Sequence, residues 1–205
     1  MEYYLLIFGL FLLLVGCLWF LFDYIKYSCI HLSTNSFDVA KKITSHYDDI
    51  NIVEAAGSNV SRYVFKRKIL RFTSKMYSSD DVFSVSLASL LSGISLNDNW
   101  YFYTYGKLIS FIDCFHISPF LLAVISLFMY SKGDAKIGII LGVFLLIEEY
   151  FYMQIISQGI EIVRDKIKVK GLQDIHVVLN HFYKIHILFF VSALVFILRF
   201  IVIVL

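Results

Sequence analysis

The sequence predicts a mostly α-helical membrane protein, with about four transmembrane helices and a small cytoplasmic insert of helix and β-hairpin. Three observations predict it. Hydrophobic residues make up 59% of the 205 positions, mean hydropathy is +0.76, and there is a single proline, Pro119; soluble domains average about 45–50% apolar residues. Four stretches are apolar over 17 to 21 residues, long enough at 1.5 Å per residue to approach or match a hydrocarbon core of about 30 Å. The first two stretches are separated by residues 23–113, where short alternating runs replace continuous apolarity.

Tyr3 to Phe22 is uncharged and long enough to cross. It reads as a retained helix rather than a cleaved leader, because Glu2 precedes it where a leader carries bases, and no small-x-small cleavage site follows. Within residues 23–113, Ser36 is placed to cap a helix through about Tyr47, with Phe37, Ala40 and Ile43 on one face and Asp38, Lys41 and Lys42 on the other. Ile50 to Glu54, Ser61 to Phe65 and Lys68 to Phe72 read as strands, the last two joined through Lys66 and Arg67. Ser79 and Asp80 can cap a second helix through about Leu96 that carries no charge beyond its first turn. Trp100, Tyr101, Phe102, Tyr103 and Tyr105 then read as rings at headgroup depth before the second span.

The remaining spans are Cys114 to Tyr130 (residues 114–130), Ile137 to Ile156 (137–156), and Ile185 to Leu205 (185–205), with a polar segment at 157–184. All belong to one membrane domain, 1–205. Ten cations lie in residues 23–113, and Arg164, Lys166, Lys168, Lys170 and Lys184 lie in 157–184, against Lys132 and Lys136 in the connection 131–136. Cations near span ends stay on the cytoplasmic side, so both large polar segments are expected in the cytoplasm and both termini outside a multi-pass plasma-membrane protein.

A formal charge of +2 is too mild to imply nucleic acid. Cys17, Cys29 and Cys114 lack C-x-x-C spacing and read as free or buried thiols. His176, His181 and His186 are spaced by five, which turns successive side chains by about 140° and makes no metal-binding face; His31, His46 and His116 are isolated.

Taken together, Phe37-Asp-Val-Ala-Lys-Lys-Ile43, Ser61-Arg-Tyr63, Lys66-Arg-Lys-Ile-Leu-Arg-Phe72, Met76-Tyr77 and the apolar run Val82 to Leu96 resemble the YugP-like family of membrane-embedded neutral zinc metallopeptidases. The likeness extends from the first span to Leu198-Arg-Phe200 in the last. It implies that Val82 to Leu96 corresponds to the family's H-E-x-x-H helix, on which two histidines one turn apart hold zinc and a glutamate activates water. Those positions fall on Ser89, Leu90 and Gly93, and the family's carboxylate ligand falls near Ile156. The resemblance therefore implies a degenerate member without catalytic, cofactor-binding or metal-binding residues, and no cofactor is expected; zinc enters only if an atypical site survives.

Glu148 and Glu149 interrupt the third span and Arg199 the fourth, where unpaired charge is costly. Two readings stay open: a polar pocket or partner contact inside the bundle, joined by Arg199, or a shorter tilted span with the acids near the interface. The expected function is binding or regulation of a membrane protein partner or protease, by a chain embedded in the lipid bilayer and part of a homo- or hetero-oligomer. An active zinc peptidase with an atypical site is the first alternative, and a small transporter or channel component the second.

Overall fold

The computed structural model describes the whole chain except residues 48, 59, 109–110, 114–116 and 168–172, with the side chains of 108, 111 and 113 also outside the description. Among the described residues, three helices are long and apolar enough to cross a membrane: α1 (Glu2–Tyr27), α7 (Lys132–Lys166) and α8 (Gln173–Val204). The chain forms two compact units, one of residues 1–21, 116–153 and 184–205, the other of 22–115 and 154–183.

In the first unit, α8 is the central element. A Cβ built on Gly9 of α1 lies 2.6 Å from the Phe196 ring, and one on Gly16 lies 2.5 Å from Phe189. The seven-residue spacing on both helices puts each ring into a gap left by a missing side chain, the small-residue packing that holds helices together where no water drives them. The Ser192 hydroxyl donates to the Gly9 carbonyl at 2.8 Å. Gly138 and Gly142 of α7 meet Phe200 and Ile197. Numbers rise on one partner as they fall on the other, so α1 and α7 both run antiparallel to α8, and hence parallel to each other. Between them comes α6 (Ser118–Phe128), whose Leu122 meets Gly142 while Met129 beyond its end meets Gly138; α6 runs against α7.

The second unit is built on a four-stranded sheet ordered β1-β3-β2-β4: β1 (Asn51–Ala55), β2 (Arg62–Val64), β3 (Ile69–Thr73) and β4 (Phe111–Asp113). Strand β1 runs parallel to β3, and β2 pairs antiparallel with β3 and β4. The β2–β3 connection is a 3-10 turn, Phe65–Arg67, closed by Lys68 at φ 50°. Tyr63, Leu70, Phe72 and Ile112 face inward and are buried, under α2 (Ser36–Thr44), α3 (Ser74–Ser78) and α4 (Val82–Ser95), with α5 (Trp100–Leu108) following.

The expected helix at 36–47 and the hairpin with its Lys66-Arg67 turn are present, ending slightly earlier and later than predicted. Two caps move by one residue. Asn35, not Ser36, accepts the Asp38 amide proton at 2.8 Å, leaving the Ser36 hydroxyl to donate to the Ser79 carbonyl. Asp81, not Ser79 or Asp80, caps α4 by accepting from the Ser84 amide at 2.7 Å, while Asp80 pairs with His31 at 2.7 Å. Phe102 and Tyr105 are buried in the second unit, so of the aromatic run only Trp100 and Tyr103 are strongly exposed. Residues 157–184 are largely helical rather than loop, because α7 continues to Lys166 and α8 begins at Gln173; Lys168 and Lys170 lie outside the described residues. The expected span 114–130 contains an eleven-residue helix, α6, and its first residues, Cys114 to His116, also lie outside the description. Cys17 and Cys29 are free.

Candidate functional site

Helix α4 carries the positions that the resemblance assigns to zinc. The hydroxyls of Ser86, Ser89 and Ser92 donate to the carbonyls of Val82, Val85 and Ala88 at 2.6, 2.7 and 2.7 Å. Each hydroxyl is consumed within its own helix, so the face they form is small and internally satisfied. At Gly93 the backbone itself is the contact surface. A Cβ built there lies 2.3 Å from the Gly159 carbonyl oxygen of α7 and 2.8 Å from Val163, and one built on Gly159 lies 2.7 Å from Ile94. No side chain fits at 93 without moving one of the two helices. Leu90 and Ile156 are fully buried, the latter one turn before Gly159. A donor hydroxyl already bonded, two aliphatic chains and a bare backbone carbon do not make a zinc site. Among the described residues no group of three or more His, Cys, Asp or Glu is placed to hold a metal ion. Small residues at Ser86, Ser89 and Gly93, spaced by three and four, are the sequence signal for a close helix contact.

The charged residues of the apolar helices do not converge as one cluster. Glu148 accepts from the Ser118 hydroxyl at 2.6 Å, at the N-terminal end of α6, where no side chain of the preceding residue caps the helix. Arg199 sits at the other end. Its Nη1 donates to the Ser126 carbonyl and hydroxyl and, at 3.3 Å, to the Met129 carbonyl, with the guanidinium 5.1 Å from the Tyr130 ring centroid. By helix rise the two ends of α6 lie roughly 16 Å apart, so Arg199 does not join the acids. Glu149 instead lies 3.6 Å from His186 Nδ1, both being buried, and the Tyr152 ring packs on His186 at 5.0 Å. An acid at the N-terminal end and a cation at the C-terminal end of one short helix match its macrodipole, and Arg199 also takes carbonyls that the helical ladder leaves open.

The other histidines are dispersed. His181 pairs with the buried Asp23 at 3.1 Å, His46 is exposed, and His116 lies outside the described residues. The second unit also holds a cavity of about 600 Å³ between β2, α5 and the end of α4. Its aromatic wall is Tyr63, Phe65 and Phe102, with Phe65 and Phe102 centroids 4.8 Å apart. Burial, with the Asp49 carboxylate adding to it, pushes the Tyr63 hydroxyl up to about 12. A hydrogen bond from Lys68 holds the Asp49 carboxyl below the usual range, and the same contact raises the Lys68 ammonium. No family model, curated protein or solved structure matches the chain.

Proposed function

We propose that this chain is a non-catalytic relative of the YugP-like membrane zinc metallopeptidases, acting by binding or regulating a membrane protein partner or protease. The observation that carries the reading is the Gly93–Gly159 approach: where the peptidase needs an imidazole, two helix backbones touch. Such a contact supports a molecule that keeps the architecture as a rigid frame and has turned the former metal position into structural packing. Zinc content of the freshly purified protein in detergent tests it. Far less than one zinc per chain, with no chelator-sensitive cleavage of unfolded peptides, is the expected result; near-stoichiometric zinc with chelator-sensitive cleavage overturns it.

The same proposal includes four crossings of the plasma membrane. Helices α1 and α7 both oppose α8, so the chain between them recrosses an odd number of times. Helix α6 runs against α7 and is the returning segment. Eleven residues rise about 16 Å, half of the hydrocarbon, so α6 supplies the half of that crossing beside the start of α7. Lys26, Arg164 and Lys166 mark the cytoplasmic ends of their helices, which puts both termini outside. A transporter reading rests on the buried Glu149–His186 pair; liposome flux altered by Glu149→Gln favours it, and unaltered or absent flux removes it.

A further inference from the structure

We infer that the outward face of the β-sheet is a binding site for the phosphate-bearing head of an anionic lipid. This inference does not depend on the fate of the metal site. Strand alternation divides the sheet cleanly: Tyr63, Leu70 and Phe72 point into the core, while Arg62, Val64, Ile69 and Arg71 occupy the opposite face, with Val53 beside Arg71 on β1. Lys66 and Arg67 of the connecting turn complete the rim of a concave site of about 480 Å³, lined among the described residues by four cations and three aliphatic side chains.

Two features mark this face as one that awaits an anion. Arg71 stands opposite Arg62 across the β2–β3 pair, so the register brings two cations side by side on this face and raises its positive potential. Arg62 has an interaction of its own and is not counted. Lys66, Arg67 and Arg71 are exposed and form no ion pair with any described residue. The excess therefore rests on three cations around an aliphatic floor, with Val53 37% exposed. Arginine forks suit phosphate oxygens, and the floor of Val53, Val64 and Ile69 suits the glycerol and first methylenes of a lipid rather than a bare ion. In a chain that carries three helices apolar enough to cross a membrane, anionic lipid is also the phosphate source at highest local concentration.

The test uses the full-length protein in uncharged detergent. Dihexanoyl-phosphatidylglycerol, below its micelle concentration, is titrated against dihexanoyl-phosphatidylcholine and inorganic phosphate, with binding read by calorimetry. At roughly a factor of five per cation, three cations give a preference on the order of a hundredfold for the anionic lipid. That preference should fall steeply with added salt and vanish in the variant Lys66→Gln, Arg67→Gln, Arg71→Gln, whose positions are all exposed. Should that variant misfold, the salt dependence and the lipid-charge preference of the unaltered protein decide alone. Equal binding of the two lipids, or full displacement by inorganic phosphate at the lipid's own concentration, overturns the assignment. So does tighter binding of an acidic peptide or an oligonucleotide than of the lipid. Each of these outcomes is separate from the zinc measurement, so the two proposals fail independently.

Discussion

At the scale of single residues, the distinction that matters is between a position that lacks chemistry and one that lacks room. Ser89 and Gly93 both depart from the zinc pattern, but only Gly93 is sterically committed. Gly93→Ala pushes a methyl to 2.3 Å from a backbone oxygen, and overpacking of that kind costs about 2–3 kcal/mol. Ser89→Ala removes a hydroxyl bonded only to its own helix, so its expected cost is below about 1 kcal/mol. Parallel thermal melts in detergent check the pair, and equal effects would refute the packing account. Tyr63 gives a second residue-scale prediction. Its neutral form is favoured by burial, so its contribution is fully present below about pH 10 and is lost as pH rises through the folded value of about 12. The two-unit difference is worth at most about 3 kcal/mol, less after solvent screening at a residue that lines the cavity. A 295 nm difference titration of the protein against Tyr63→Phe should isolate a tyrosinate step near pH 12, and the variant should lose less stability between pH 10 and 12.

At the scale of elements, α6 explains why charges persist in apolar helices. A short helix surrounded by apolar side chains leaves four amides and four carbonyls without helical partners; Arg199 donates to carbonyls at its C-terminal end, and Glu148 accepts from the Ser118 hydroxyl at its N-terminal end, where its charge suits the dipole. Arg199→Met strands the Ser126 and Met129 carbonyls and should cost about 3 kcal/mol in detergent-unfolding equilibria, with Arg199→Lys recovering part. Glu148→Gln keeps an acceptor for Ser118 and should lose no more than about 1 kcal/mol, the charge–dipole share. If Arg199→Met matches Arg199→Lys, the capping role is wrong. The sequence made the existence of these charges legible but not their partners, since pairing across α7 and α8 depends on which turn of each helix faces α6. Elements with strong local patterns were readable for the converse reason: α2 has an amphipathic face, and Lys66-Arg67 separates two alternating runs. The parallel β1–β3 pairing, β4 and α5 left no comparable local mark. The extension of α7 did leave one, since Ile156, Ile160, Val163 and Ile167 recur at spacings of four, three and four and are buried, but the charges at Glu161, Arg164 and Asp165 masked it as loop.

At the scale of the whole molecule, the parity of membrane crossings is the quantity most exposed to test. Three long apolar helices alone put the two termini on opposite sides; adding α6 as a returning segment puts them on the same side. The direction of packing favours the second count, because Gly9 and Gly16 meet Phe196 and Phe189 in descending order, and Gly138 and Gly142 meet Phe200 and Ile197 likewise. Two helices that both oppose α8 are the arrangement that the four-crossing proposal requires. Single cysteines placed at Tyr4, Tyr47 and Leu205, all exposed, in a chain with Cys17, Cys29 and Cys114 changed to serine, read the parity directly with a membrane-impermeant maleimide on sealed cells. Positions 4 and 205 should label without permeabilisation, and position 47 only after it. Labelling of 4 and 205 from opposite sides would make the count odd and return α6 to the role of a helix packed beside the spans rather than part of one.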